Sequence, residues 1–118
     1  MNKVEFVFLE LDGKSEIMEF ISNLPTDDKK KLIATIKKVE KYGISNSAKM
    51  KWVKKLDWNI YEIRSRFASN IQRCLYFHKV NNVYVITHGF TKKTDKTPRR
   101  EMRHAVDLMK KYEENNND

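Results

Sequence analysis

Apolar residues recur in two rhythms along the chain, one suited to helices and one to strands. Residues 3–9 (KVEFVFL) are a short, β-prone apolar run and predict a strand. After an Asp12-Gly13 turn, Ile17, Phe20 and Ile21 recur at helical spacing within 15–23, with Leu24 continuing the stripe and Pro25 ending it. Thr26 is placed to cap a second helix, with Asp27 and Asp28 in its first turn, where the helix dipole favours acids. Leu32, Ile33, Ile36 and Val39 form its apolar stripe, and Gly43 supplies the stop. Two helices joined by a short proline turn predict an antiparallel hairpin.

Residues 44–58 lack a clear period and read as irregular, with Trp52, Leu56 and Trp58 as anchors to the core. Residues 60–66 then alternate, Tyr61 and Ile63 to one side and Glu62, Arg64 and Arg66 to the other, as in a half-buried strand. Residues 71–79 and 83–90 are more continuously apolar and predict central strands, separated by an Asn81-Asn82 turn. A polar loop (91–97) leads to Thr97-Pro98, an N-cap and first-turn pair for a last helix with Met102, Ala105, Val106 and Met109 on one face. Residues 115–118 should fray. The order is β-α-α-β-β-β-α: an α+β fold with a small antiparallel-rich sheet, the helical hairpin on one face, a C-terminal helix, and the other face partly open. Length, and the lack of a repeat or linker, predict a single domain over 1–118.

Charge changes this picture more than composition does. The net charge is +8, unevenly spread. Residues 1–28 carry Lys3 and Lys14 against seven acids, residues 29–59 carry ten lysines against Glu40 and Asp57, and residues 60–104 carry ten Lys/Arg against three acids. Both ends of the chain are acidic and the middle is strongly basic, which points to a polyanionic partner. A lysine-rich solubilising surface would account for much of 29–55, but less well for the arginines of the second half, whose forked donors match phosphates. No apolar stretch approaches a membrane span, and residues 1–5 lack the features of a signal peptide, so a cytoplasmic protein is expected. One cysteine, Cys74, cannot form an internal disulfide and reads as a buried small residue. No Cys/His group has metal-ligand spacing, so neither a metal nor a cofactor is expected.

The candidate chemistry sits around the meander. Arg64 and Arg66 lie on the polar side of its first strand, and Lys92 and Lys93 follow its last. Arg73 interrupts the apolar run Ile71–Phe77. A cation there is costly unless it is paired or faces a wet groove, so Arg73 is either a groove cation or the structural partner of Glu62 or another acid. On one face, such cations would suit RNA cleavage. The 2′-hydroxyl attacks the adjacent phosphorus itself, so the protein has only to align the backbone, offset the extra negative charge and move protons. A lysine crowded by cations, or His88 or His78, could move protons near neutral pH. Equally, His88 could bond a backbone carbonyl, His78 and His104 could be surface residues, and Trp52 and Trp58 could stack on bases instead of anchoring the loop.

The runs LDWNIYEIRSRF (56–67), RCLYF (73–77) and VITHGFTKKTDKTPRREM (85–102) resemble the RelE/ParE toxin superfamily, and within it the HigB-like, phage-derived branch. GFTKKTDKTPRRE (89–101) is the most specific stretch, and the similarity spans nearly the whole chain. The resemblance implies a RelE-like fold and the toxin of a type II toxin–antitoxin pair. It implies metal-independent cleavage of messenger RNA on the ribosome, which stops translation. It also implies neutralisation by a helix-turn-helix antitoxin, in an assembly expected to be a heterotetramer. By matching position it assigns Arg73 to the scissile phosphate, Arg64 and Arg66 to backbone positioning and charge compensation, and Lys92 and Lys93 to proton transfer or leaving-group stabilisation. Lys96 and Arg99, in the same loop and helix start, join Arg66 as RNA-binding candidates. Glu62 stands where RelE has a lysine, and Met102 falls near the place of a RelE tyrosine. HigB-type enzymes lean more on histidine and acids, which keeps His88 among the catalytic candidates. Two other functions fit the same composition: a ParE-like poison of DNA gyrase, or a non-enzymatic phage protein that binds nucleic acid or a partner.

Overall fold

A computed structural model of the protein describes residues 3–92, 94 and 96–115. Their elements run β1 (Glu5–Phe8), α1 (Glu16–Ser22), α2 (Thr26–Lys49), β2 (Val53–Lys55), β3 (Tyr61–Phe67), β4 (Asn70–Val80), β5 (Val83–Lys92) and α3 (Arg99–Asn115). The five strands form one mixed sheet in the order β1-β5-β4-β3-β2. The expected α+β fold is present. β3, β4 and β5 form the expected antiparallel meander, and β1 adds to β5 in parallel.

Several local signals act as their chemistry requires. Ser15 caps α1, its hydroxyl accepting from Met18 N at 3.3 Å. Asn81, at φ 51°, turns the two-residue link between β4 and β5. Gly43 does interrupt α2, adopting a left-handed φ of 85° that favours glycine, but the chain re-enters helix and continues to Lys49. The expected stop is therefore a kink. Thr26 lies inside α2, and Pro25 takes the capping position without a side-chain bond. The expectation for Thr97-Pro98 is corrected too. α3 begins at Arg99, Pro98 O accepts from Glu101 N, and the Thr97 hydroxyl is engaged elsewhere.

The stretch read as irregular contains a strand. Val53 is buried opposite Ile63, while Lys54 and Lys55 pair with Glu62 and Tyr61 at the sheet margin. Three residues are too few for a visible alternation, and lysine on such a margin discourages pairing with other chains. At the opposite margin α2 closes β1, because Val4 N donates to Glu40 O at 3.0 Å and Phe6 N to the Glu40 carboxylate at 2.9 Å.

Two cores flank the sheet. The hairpin packs Ile17, Ile21, Leu32, Ile36 and Val39 onto Ile63, Cys74, Tyr76 and Ile86. Gly89 lies on this side, where a Cβ would come within 2.4 Å of the Phe20 ring. On the opposite side α3 packs Ala105 and Leu108 against Leu9, Leu75, Phe77 and Val85. Thus α3 covers the β1-β5-β4 part of that face and leaves the β3-proximal part to polar side chains.

Candidate nucleic-acid face

Register alone brings the cations together. Residues opposite one another across neighbouring strands share a face of the sheet. One row runs Glu62–Leu75–His88, the next Arg64–Arg73–Phe90, and the third Arg66–Ile71–Lys92. Leu75 lies beneath α3, so all three rows are on the α3 side, opposite the hairpin. The two ends of each row lie 26 positions apart in sequence yet only two strand spacings apart in the sheet.

The middle of this face is a buried ion network. Glu62 and Arg73 are both fully inaccessible, with Arg73 Nη1 3.0 Å from Glu62 Oε1. Arg64 Nε approaches the same oxygen at 3.5 Å, its side chain 24% exposed. Thr97 donates its hydroxyl to the other carboxylate oxygen, and Arg73 also bonds the Thr97 hydroxyl and the Thr94 carbonyl. The loop before α3 is thereby fastened over Arg73. Of the two readings open for this arginine, the geometry is that of the structural pair with Glu62. A phosphate in solvent does not reach it while Thr94 and Thr97 lie where they are. This arrangement also accounts for the Thr97 correction, since its hydroxyl completes the buried carboxylate instead of capping α3.

His88 is buried beside this network. Its Nε2 lies 3.1 Å from Glu101 Oε1 and its Nδ1 3.0 Å from Thr87 Oγ1. The expected backbone carbonyl is replaced by a carboxylate and a hydroxyl. Burial pushes the His88 pKa below its ordinary value, and the bond to Glu101 opposes that shift only in part, while nearby His104 reinforces it. A group with a depressed folded pKa binds more protons unfolded, so it adds stability that is present above the unfolded pKa of about 6.5 and lost as pH falls through it. His88→Gln is therefore expected to flatten the loss of stability between pH 7 and pH 5. The slope removed is at most about 1.4 kcal/mol per pH unit, measured by urea unfolding at each pH. An unchanged slope would show that this imidazole does not titrate on unfolding.

The remaining histidines take bland roles. His104 pairs with Glu16 at 2.7 Å and stacks edge-on to His88 at 4.7 Å, tying α3 to α1. The exposed His78 bonds Asn81 O at 2.7 Å in the β4–β5 turn. Cys74 is buried under the hairpin, and burial followed by the nearby Glu62 charge pushes its thiol up to about 12, which rules it out as a nucleophile at neutral pH.

The other predicted cations border two openings. Lys96 and Arg99, with Lys54 and Lys55, line a cleft of about 630 Å³ beside Thr97. Arg66 and Arg64 line a second, of about 430 Å³, with Lys31, Lys38 and Lys51. Buried Ser65 also lines this second opening, and its hydroxyl has no partner among the described residues. Lys92, half-buried, ends β5 on the same face as Arg66. Lys93 lies outside the described residues. Among the described residues no group of three or more His, Cys, Asp or Glu could hold a metal ion, and no helix is long and apolar enough to cross a membrane.

The acids and hydroxyls that hold these cations are less visible in the sequence than the cations themselves. Thr97 and Glu101 carried no signal beyond their place in a loop and a first helical turn. Glu62 did carry one: it is an acid two residues before Arg64 on an alternating strand, hence on the same face. Trp58 was expected to anchor the loop, but it is 43% exposed, whereas Trp52 packs against the hairpin-side core.

No curated protein sequence matches the chain. A family model described as phage-derived protein Gp49-like (DUF891) matches residues 19–110, from the middle of α1 through most of α3. That span includes every cation and acid of the face described above, and the Gp49-like proteins fall within the RelE/HigB type of toxins. The chain belongs to the phage-derived Gp49-like family, and with it to the RelE/HigB-type toxins.

Proposed function

We propose that the protein is the toxin of a type II toxin–antitoxin pair, a HigB-like endoribonuclease that cuts messenger RNA on the ribosome and is neutralised by a helix-turn-helix antitoxin. The observation that supports this reading best is the convergence of Arg64, Arg66 and Lys92 with the buried Glu62–Arg73 pair on one open face. In this mechanism Arg64 and Arg66 grip the phosphates on either side of the scissile bond and hold it for in-line attack. The 2′-oxygen bonds to phosphorus, the bond from phosphorus to the 5′-oxygen breaks, and a cyclic phosphate and a 5′-hydroxyl result. Arg64 offsets the charge that builds on the phosphorane oxygens. Proton transfer is assigned to Lys92, with Lys93 following it in sequence. Arg73 acts one layer down: it fixes Glu62, and Glu62 in turn orients Arg64.

His88 is a positioning residue in this reading, holding the start of α3 through Glu101. The antitoxin would need to cover a cationic face, which an acidic segment does by charge complementarity. Induction of the protein in growing cells, with mapping of message 5′ ends, tests the proposal. New ends that appear only in translated messages are expected. DNA damage with intact messages would favour gyrase poisoning, and normal growth with intact messages would favour a non-enzymatic binding protein.

A further inference from the structure

The turn before β3 presents an aromatic ring where folding alone gives no reason for one. Leu56 N donates to Ile60 O at 2.8 Å and Ile60 N to Asp57 O at 3.2 Å, closing a tight loop that pushes the three intervening residues outward. Trp58 and Asn59 both adopt a left-handed φ of 62°. Asparagine tolerates that conformation, but a bulky side chain is disfavoured there, and glycine would serve the turn better. The indole gains little burial in exchange, being 43% exposed. It is nevertheless held: the Arg99 guanidinium lies 4.7 Å from the ring centroid, and Arg99 itself reaches Asp57 at 3.7 Å.

The surroundings indicate what such a ring would meet. Asp57 and Arg99 border the 630 Å³ cleft that Lys54, Lys55 and Lys96 also line, a volume within the range of small-ligand sites. The cleft adjoins Thr97, the hydroxyl that bonds Glu62 beneath the proposed cleavage face. A flat aromatic surface beside several cations suits a single-stranded nucleotide, whose base stacks while its phosphate is neutralised.

We infer that Trp58 is a stacking platform for a nucleobase of single-stranded RNA, with Arg99 backing the indole and Lys54, Lys55 and Lys96 holding the adjoining phosphates. This inference rests on the proposed RNA-cleaving function and adds a base-contacting subsite next to the scissile position. A strained turn that exposes a large ring reads as stability given up for contact with a ligand.

Binding of a short single-stranded oligonucleotide with 2′-O-methyl sugars, which cannot be cut, tests it on the full chain by fluorescence anisotropy. An abasic oligonucleotide of equal length keeps the phosphates and removes the bases. Trp58→Ala is expected to weaken the base-bearing probe about tenfold and leave the abasic one unchanged. Trp58→Phe should keep most of the affinity. Trp58→Gly provides the sharper split: it relieves the left-handed strain, so thermal stability should hold or rise while affinity for the base-bearing probe falls as in the alanine variant. Equal affinity of wild type for both probes, or unchanged binding by Trp58→Ala and Trp58→Gly, would overturn the inference. Cleaved messages in cells would still support the ribonuclease reading in that event, so the two fail separately.

Discussion

Glu62→Ala is expected to lower the unfolding free energy by about 3–5 kcal/mol, the range for breaking a buried ion pair from one side. The cost comes from the charge left behind more than from the bond removed. Arg73 is fully buried in β4 with Phe90 on one cross-strand side and Arg64 on the other, and it cannot shed its proton. Without Glu62, two neighbouring guanidinium groups face each other beneath the loop, and the Thr97 hydroxyl loses its acceptor. Replacing both partners by apolar residues of similar volume, Glu62→Leu with Arg73→Met, should recover most of the loss. Urea unfolding of the two single variants and the double variant forms the required cycle. A loss below about 1 kcal/mol for Glu62→Ala, the level of an exposed pair, would mean that water reaches this network.

The same cycle separates two ways in which Arg73 could matter. If Arg73 only secures Glu62 and the loop, the Leu/Met double variant should be well folded yet hold Arg64 poorly, and a loss of toxicity would result from misplacement. That outcome agrees with a positioning role. Direct contact with the phosphate requires Thr94 and Thr97 to lift away from Arg73, and substitution of Thr97 alone would then increase activity by uncovering the guanidinium. With the loop fastened over Arg73, Thr97→Val removes a donor from Glu62 and should reduce activity.

The fold was largely legible because its signals are local or periodic. The strand alternation of 60–66, the asparagine turn, and the apolar stripes of α1, α2 and α3 each state one face, and the faces admit few arrangements. The misses share a cause. β2 is three residues long and exists by pairing with β3; nothing within Val53–Lys55 specifies it apart from that partner. Gly43 kinks α2 without ending it because residues on both sides are wanted by the helix, and a glycine does not encode the conformation of the chain beyond it. Thr97 reads as a cap from its neighbours alone, but that expectation fails because its hydroxyl bonds Glu62 across 35 positions, a partner set by the sheet. For the site, sequence located the cations on alternating strands yet could not rank them by depth. Arg73 and Arg64 differ in exposure because the loop before α3 lies over one and leaves part of the other open, and loop placement has no periodic signature.

Depth is also what separates the arginines in the activity predictions. Arg64 is partly exposed beside the buried carboxylate, so it is the cation whose orientation is fixed before RNA arrives. A donor preorganised in this way acts on charge that appears only in the transition state, and removing one lowers the rate by roughly 10²–10³-fold. Arg64→Ala should therefore reduce the cleavage rate on programmed ribosomes by that order while altering stability little. Arg64→Lys should recover only part, because an ammonium cannot present two parallel donors to a phosphate. Arg66, more exposed and further from Glu62, should contribute to binding instead. Arg66→Ala is expected to reduce the salt dependence of single-strand binding by about 0.7 in log–log slope, the share of one phosphate contact, with a smaller change in rate at saturation. Lys92→Ala should lower the rate, and Lys92→Arg should not restore it, since a guanidinium holds its proton. Primer-extension rates, anisotropy and thermal melts on the same preparations separate these effects. Cleavage by Arg64→Ala at the wild-type rate would disconnect this face from the chemistry, because among the described residues no other solvent-accessible cation of the face is oriented by a buried carboxylate.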